Sequence, residues 1–133
     1  MDAGLDSQLG DLAWGLATGL RAGYTLREVV NAMALEAPQP AASVCRLLLD
    51  EMDKGQDLAP ALERWRQAVP SAALNRLVRV LSQPPDLGNL ADQLDALSAD
   101  LLAKYGSDPA FYPAMRREAA QLGARVPRRA AEA

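Results

Sequence analysis

The sequence contains no histidine and one cysteine, and both shortages restrict the chemistry that the chain can carry out. Without histidine the chain lacks the most common general base and the most common ligand of zinc and haem. The single thiol, Cys45, forms neither an internal disulfide nor a zinc site, and its neighbours Val44 and Leu48 indicate a small buried side chain. The composition therefore offers no nucleophile-and-base pair, and we expect no cofactor and no metal; a catalytic carboxylate pair, in an enzymatic or ligand-binding bundle with a deep pocket, stays an open alternative.

Aromatic residues and long apolar runs are also scarce. Aromatic side chains make up 5% of the 133 residues, whereas half of the chain is apolar, so a core would consist mostly of Leu, Ala, Val and Met. Such a core favours closely packed helices over a β-sandwich.

No stretch approaches the roughly 20 apolar residues that cross a bilayer, and the acidic N-terminus does not resemble a signal peptide. The length is that of one domain.

Negative charge predominates in most of the chain. The net charge is −3; residues 1–105 carry 9 basic and 14 acidic side chains, whereas residues 106–133 carry 5 basic and 3 acidic ones. An acidic body repels the phosphates of nucleic acids, so we expect no nucleic-acid partner. The basic side chains of the C-terminal segment are Arg116, Arg117, Arg125, Arg128 and Arg129.

The first half of the chain nearly repeats itself at an offset of 32 residues. Residues 23–26 read Gly-Tyr-Thr-Leu, residues 55–58 read Gly-Gln-Asp-Leu, and residues 88–90 read Gly-Asn-Leu in a looser third copy. Each copy predicts a helix, a glycine turn, a capping side chain and a second helix. A repeat of this length is typical of stacked helical hairpins. The positions expected to build the turns and caps are Gly23, Thr25, Leu26, Gly55, Asp57, Leu58, Gly88 and Leu90.

Hydrophobic periodicity and capping residues predict six helices joined by short loops. The first is expected over about residues 7–22, and the third over about residues 41–54. Thr25-x-x-Glu28 is a capping box at the start of the second helix. The caps expected for the other helices are Asp6 or Ser7, Asp57, Ser71 and Asp86. The predicted fold is an all-α, antiparallel six-helix bundle built from helical hairpins.

The helical pattern also predicts which side chains are buried. We expect Leu47, Leu58 and Trp65 to point inward and Trp14 to lie at the edge of the core. Small residues on the first helix would allow another backbone to come close. These residues are Gly10, Gly15 and Gly19.

The periodicity weakens beyond the sixth helix. We therefore divide the chain into residues 1–106, the helical bundle, and residues 107–133, a loop, a short helix and a basic tail. The short helix is expected over about residues 113–124, and the end of the chain is expected to fray.

An acidic cluster near the second turn is the strongest candidate for a metal site. It consists of Asp50, Glu51, Asp53 and Asp57. With Gly55 at the sixth position of a calcium loop, the third and fifth ligands would be Met52 and Lys54, which cannot bind the ion. We interpret the cluster as a solvated helix end plus a cap, and a weak surface ion site at a subunit contact stays open.

Residues 21–30 also resemble a DNA-binding helix-turn-helix, because two short helices flank a glycine turn. The second helix offers only Arg27 and Asn31 as contacts to DNA, and Glu28 and Glu36 oppose the phosphates. A helix-turn-helix regulator is therefore the alternative function, and not the preferred one.

The order of these motifs resembles the type II secretion system F domain. The matching segments are residues 12–26, the prolines at 38 and 40, residues 48–62, the proline at 70, residues 74–81 and residues 88–94. The resemblance covers about residues 7–104. It departs from the family at residues 82–86, Ser-Gln-Pro-Pro-Asp, where the family has a Glu and a Gly at the end of the fifth helix.

The resemblance implies a non-enzymatic scaffold, the cytoplasmic domain of an inner-membrane platform protein in type II secretion, type IV pili or tight-adherence (Tad) pili. Such a domain couples an assembly ATPase to pilin or pseudopilin assembly. Its expected partners are that ATPase, other platform subunits and a second copy of itself, at the cytoplasmic face of the bacterial inner membrane. Membrane helices flank the family's domains, so the chain is either a piece cut before such a span or a soluble relative.

Overall fold

A computed structural model describes residues 2–55, 57–83, 89–108 and 111. Within these ranges the chain is all-helical and contains no strand. The helices are α1 Asp2–Arg21, α2 Leu26–Glu36, α3 Ala41–Asp53, α4 Leu58–Ala68, α5 Ala72–Leu81 and α6 Leu90–Tyr105. The predicted all-α, six-helix architecture is confirmed.

Neighbouring helices run antiparallel, as their cross-helix contacts demonstrate. The end of α1 meets the first half of α6, because Arg21 bonds to Asp92 and Asp95. The start of α2 meets the end of α3 through an ion pair between Arg27 and Asp53. Three of the five connections between helices, α1–α2, α3–α4 and α5–α6, therefore start and finish at the same end of the bundle, which we call the turn end.

The opposite end, which we call the exit end, is where the chain leaves α6. Gly106 ends α6 with a φ of 79°. The chain then folds back over α1, since the Asp108 N–H donates to the Asp11 carboxylate at 3.1 Å. Phe111 is fully buried in the core. The exit of the chain from the bundle is therefore fixed against the first helix.

Small residues set the spacing between α1 and its neighbours. A Cβ atom added at Gly10 would lie 2.9 Å from Leu102 Cγ and 3.1 Å from the Leu102 backbone nitrogen. A Cβ added at Gly19 would overlap the side chain of Val29 on α2. The predicted close approach at these two glycines is confirmed, with α6 as the partner of the first and α2 of the second.

Leucine, alanine and valine side chains make up most of the core, together with Met33, Trp65 and Phe111. Trp65 is 1% exposed, and its indole Nε1 donates to the Val44 carbonyl at 2.8 Å, so its polar atom is paired inside the bundle. Trp14 is 38% exposed, which agrees with the predicted edge position. Burial raises the pKa of the Cys45 thiol to about 12, so this thiol is inert, as the sequence predicts.

The prediction that the side chains of Leu47 and Leu58 point inward is wrong. They are 42% and 36% exposed, respectively. The buried face of α3 is centred on Cys45 and Leu48, so Leu47 is turned about 100° away from it. Leu58 is the first residue of α4, where the adjoining turn gives it little cover.

Two predicted helix starts are also wrong. α1 begins at Asp2, so Asp6 and Ser7 lie inside the helix and do not cap it. Leu5 is buried, and its burial extends the helix by one turn beyond the predicted start. α6 begins at Leu90, with Asn89 as its cap; the side-chain oxygen of Asn89 accepts from the Ala91 N–H at 2.8 Å. The predicted cap Asp86 lies outside the described residues.

The contact between α1 and α6 generates a stability prediction. Gly10→Ala and Gly4→Ala make the same substitution within α1, but only the first adds a methyl group to a closed interface; a Cβ at Gly4 would lie 4.0 Å from its nearest neighbour. We expect Gly10→Ala to be less stable than Gly4→Ala by about 1–3 kcal/mol. Urea unfolding followed by circular dichroism measures the difference. Equal midpoints for the two variants would contradict the close approach of α1 and α6.

Candidate functional site

The first turn is built as the sequence predicts. Gly23 has a φ of 97°, and the Tyr24 N–H donates to the Gly19 carbonyl at 3.1 Å, which closes the end of α1. The Thr25 hydroxyl accepts from the Glu28 N–H at 3.0 Å, and the Glu28 carboxylate accepts from the Thr25 N–H at 2.8 Å. Both bonds of the predicted capping box are therefore present. Leu26 is partly buried against the core.

The second turn repeats the glycine of the first turn but not its cap. Gly55 has a φ of 86°, as predicted. Asp57 occupies the N-cap position of α4, but its side chain caps no N–H group of the helix, so the predicted cap is wrong. A capping side chain accepts from the second or third helical N–H group. The third position here is Pro60, which has no N–H.

The third turn is described only in part. Gly88 lies outside the described residues, and Leu90, half-buried, is the first residue of α6. Asn89, one residue before it, supplies the cap. Asn89 is part of the third copy of the repeat, and asparagine is a common N-cap residue, so the sequence did contain the signal for this cap. The predicted cap was instead the nearby Asp86. The role of the eight turn and cap positions in function stays a prediction.

The turn end is held together by charges that are distant in sequence. Arg21 bonds to Asp95 and, at 2.5 Å, to Asp92, residues that lie 74 and 71 positions further along the chain. Hydrogen bonds to these two carboxylates raise the pKa of Arg21. No local motif marks this pairing, because its partners meet only when α1 and α6 pack together.

Cations neutralise two of the four residues in the acidic cluster at the second turn. Glu51 bonds to Arg64 at 2.5 Å and to Lys54 at 3.2 Å, and Asp53 pairs with Arg27. The hydrogen bond from Arg64 is the main cause that lowers the pKa of Glu51. In the described part of the chain no three acidic or cysteine side chains come close enough to hold a metal ion. Asp50 and Asp53 are exposed at the end of α3, as a solvated helix end requires, whereas Asp57 forms no cap; the absence of a metal site stays a prediction.

These pairings also bear on the alternative function. Arg27 was one of the two candidate contacts to DNA, and it forms an ion pair with Asp53 within the bundle. The other candidate, Asn31, is exposed on an acidic body. A DNA-binding surface requires a group of free cations on one face. Arg27 is thus engaged within the bundle, and the helix-turn-helix regulator stays an untested alternative.

The exit end contains a buried polar cluster that the sequence did not reveal. Gln8 donates to the Asp108 carboxylate at 2.8 Å and to the Gln39 carbonyl at 3.0 Å, and its own carbonyl accepts from the Ala41 N–H at 2.9 Å. Asp11, fully buried, accepts from the backbone of Asp108. The cluster thus joins α1, the α2–α3 loop and the chain after α6.

These features define a class of protein: a helical bundle whose polar side chains cap helices and form hydrogen bonds and ion pairs between them. The comparison with known families shows to which family the chain belongs. The family model described as "Type II secretion system (T2SS), protein F" matches residues 15–108. The chain therefore belongs to this family. A search of curated proteins and a search of solved structures found no match.

Membership of the family has three direct consequences. The family consists of non-catalytic platform proteins, so the chain is not an enzyme, as the sequence predicts. Its role lies in the platform of a secretion or pilus machine. The family is associated with the inner membrane, and none of the helices in the described ranges is long and apolar enough to span a bilayer.

The difference between the first two turns generates a paired prediction. Thr25→Ala removes a capping side chain that forms its hydrogen bond, and we expect it to destabilise the protein by about 1 kcal/mol. Asp57→Ala removes a side chain that caps nothing, and we expect a change of less than about 0.5 kcal/mol. Thermal melts of both variants test the assignment. An equal loss of stability in the two variants would show that the turns are capped alike.

The ion pair of Glu51 generates a pH prediction. Because the folded state lowers the pKa of this carboxyl, its contribution to stability is full above the unfolded pKa and is lost as the pH falls through the folded pKa. The stability difference between wild type and Glu51→Gln should therefore shrink as the pH is lowered. Urea unfolding at a series of acidic pH values measures this difference. Asp50→Asn is the matched control, since Asp50 is exposed and forms no ion pair within the described ranges. A difference that grows at low pH would contradict the pairing.

Proposed function

We propose that the chain is the cytoplasmic domain of a platform protein that couples an assembly ATPase to pilin or pseudopilin assembly. The observation that carries the proposal is the family match over residues 15–108. The bundle supports the proposal because its polar groups fasten helices together. A part that passes on a mechanical displacement needs rigid packing more than reactive groups.

The contacts between α1 and α6 are consistent with such a part. Arg21 ties the two helices at the turn end. In the middle the buried Ser98 hydroxyl donates to the Gly10 carbonyl at 2.7 Å. At the exit end Gln8 and Asp11 bind Asp108. The two long helices are thus tied at Arg21 and again around residues 8–11 of α1, so they move as one body and a push at one end reaches the other end.

The proposal includes the partners, the location and the division of the chain. The partners are the assembly ATPase, other platform subunits and a second copy of the chain, which forms a dimer. The domain lies at the cytoplasmic face, and segments outside this chain provide the membrane contact. Residues 1–106 form the working body, and residues 107–133 lead from it toward a possible membrane span. Asp108 and Phe111, at the start of that second part, contact the bundle.

The ATPase contact is tested with purified proteins. The chain is immobilised, and the secretion or pilus ATPase encoded in the same genome is titrated over it. We expect saturable binding and a change in the rate of ATP hydrolysis when the chain is added. An unrelated helical bundle of similar length and net charge is the control. Equal binding to the control, or no binding at all, would contradict the proposed partner.

Mechanical coupling is tested separately from binding. Asp108→Ala removes the carboxylate that Gln8 contacts at the exit end, far from the turn end. We expect this change, made in the whole platform protein, to preserve ATPase binding and to lower the amount of assembled pilus or secreted substrate. Ser107→Ala, at the exposed neighbouring position, is the matched control. Full assembly with Asp108→Ala would show that a fixed exit is not needed for coupling.

A further inference from the structure

A shallow groove of about 260 Å³ runs between α5 and α6. Two arginines of α5, Arg76 and Arg79, lie along it, and Gln83 lies beyond them toward the turn end. Val80 and Leu97 add apolar surface. The groove therefore combines guanidinium groups, an amide and an apolar patch, which together suit a peptide segment better than a small hydrophobic molecule.

The groove is positively charged although the protein as a whole is acidic. α5 contains two arginines and no acidic residue. Arg76 pairs with Asp100 across the groove at 2.9 Å, and both side chains are largely exposed, 42% and 67%. Arg79 is exposed and forms no ion pair in the described part of the chain. The groove thus carries an excess of one positive charge in a chain whose net charge is −3.

The acidic residues of the neighbouring helix do not cancel this charge. α6 contains Asp92 and Asp95 near its start, but both bond to Arg21 of α1. Asp100 is the one acidic residue that lines the groove, and it already has Arg76 as its partner. Arg79 therefore has no carboxylate partner among the described residues, and an external carboxylate can bind its guanidinium group.

We propose that the α5–α6 groove is the docking surface for an acidic segment of a partner protein. A carboxylate of the partner binds Arg79 through two parallel N–H···O bonds. A second carboxylate competes with Asp100 for Arg76, and a small apolar side chain rests on Val80 and Leu97. The inference deepens the proposed function, because it names the face of the bundle that a machinery partner would use, but its test does not require the ATPase.

The groove favours an acidic protein segment over a nucleic acid. Two arginines provide few phosphate contacts, and Asp100 opposes a strand that carries a charge at every nucleotide. A peptide can place its acidic side chains at Arg79 and Arg76 and keep the segment near Asp100 neutral. Complementary charge of this kind sets which partner binds and how fast it arrives.

The probe for the test is a fluorescent octaglutamate peptide, titrated with the full chain and followed by anisotropy. Arg79→Glu reverses the charge of the groove without breaking an ion pair of the bundle. Arg46→Glu is the matched control, because Arg46 is exposed on α3 and forms no ion pair among the residues that the structure describes. Circular dichroism melts check that both variants fold.

We expect the wild type to bind octaglutamate, with weaker binding at about 0.15 M salt than at about 0.02 M. Arg79→Glu should weaken binding at least about tenfold, and Arg46→Glu less than about twofold. Equal weakening by both variants would show general charge attraction and overturn the docking surface. The proposal would also be overturned if an oligothymidylate of equal charge bound more tightly than octaglutamate. A third contradicting result would be that octaglutamate does not bind and that the chain self-associates through a contact that Arg79→Glu abolishes. A failed ATPase titration would leave these results unaffected.

Discussion

The close approach of α1 and α6 at Gly10 is the constraint on which the rest of the structure depends. A single hydrogen in place of a side chain lets the Leu102 backbone come near, and the Ser98 hydroxyl then reaches the Gly10 carbonyl. This contact brings Arg21 to its two aspartates at one end and Asp11 to Asp108 at the other. α2, α3 and α5 contact α1 directly, α5 also contacts α6, and α4 packs on α3 and α5.

The close contact between α1 and α6 also explains how a chain without reactive groups can act in a secretion or pilus platform. Its buried polar side chains are used to hold helices in register: Gln8 and Asp11 at the exit end, and Ser98 in the middle. Each of these groups forms its hydrogen bond in the folded state, and breaking that bond while the group stays buried leaves a polar atom without a partner, which costs free energy. The bundle therefore resists local deformation, as a platform component of a secretion or pilus machine requires.

Local signals were sufficient to predict most of the fold. The six helices, the antiparallel hairpins, the glycine turn at Gly23 and the capping box at Thr25 all follow from residues close together in sequence. Burial of Trp65 followed from helical periodicity. The wrong predictions, the cap at Asp57 and the burial of Leu47, concern positions where the surrounding residues determine the structure. Pro60 removed one of the two N–H groups that Asp57 could have capped, and Leu47 lies about 100° around α3 from the buried face.

The features that were not predicted all depend on distant contacts. No spacing rule links Arg21 to Asp92, or Gln8 to Asp108, because roughly the whole length of the bundle separates them in sequence. The groove between α5 and α6 has the same origin: its charge becomes evident only when Arg21 is seen to occupy the acidic start of α6. Sequence patterns identified the helices and the family, but packing determined which charges remain available on the surface.

Native-state hydrogen exchange of the backbone amides in α1 and α6 tests the central claim most directly. If the two helices form one tied body, their most protected amides should exchange only through global unfolding, with one shared free energy equal to that from urea denaturation. Protected amides in α6 that open with a clearly smaller free energy than those in α1 would show that α6 separates on its own, and would contradict the account.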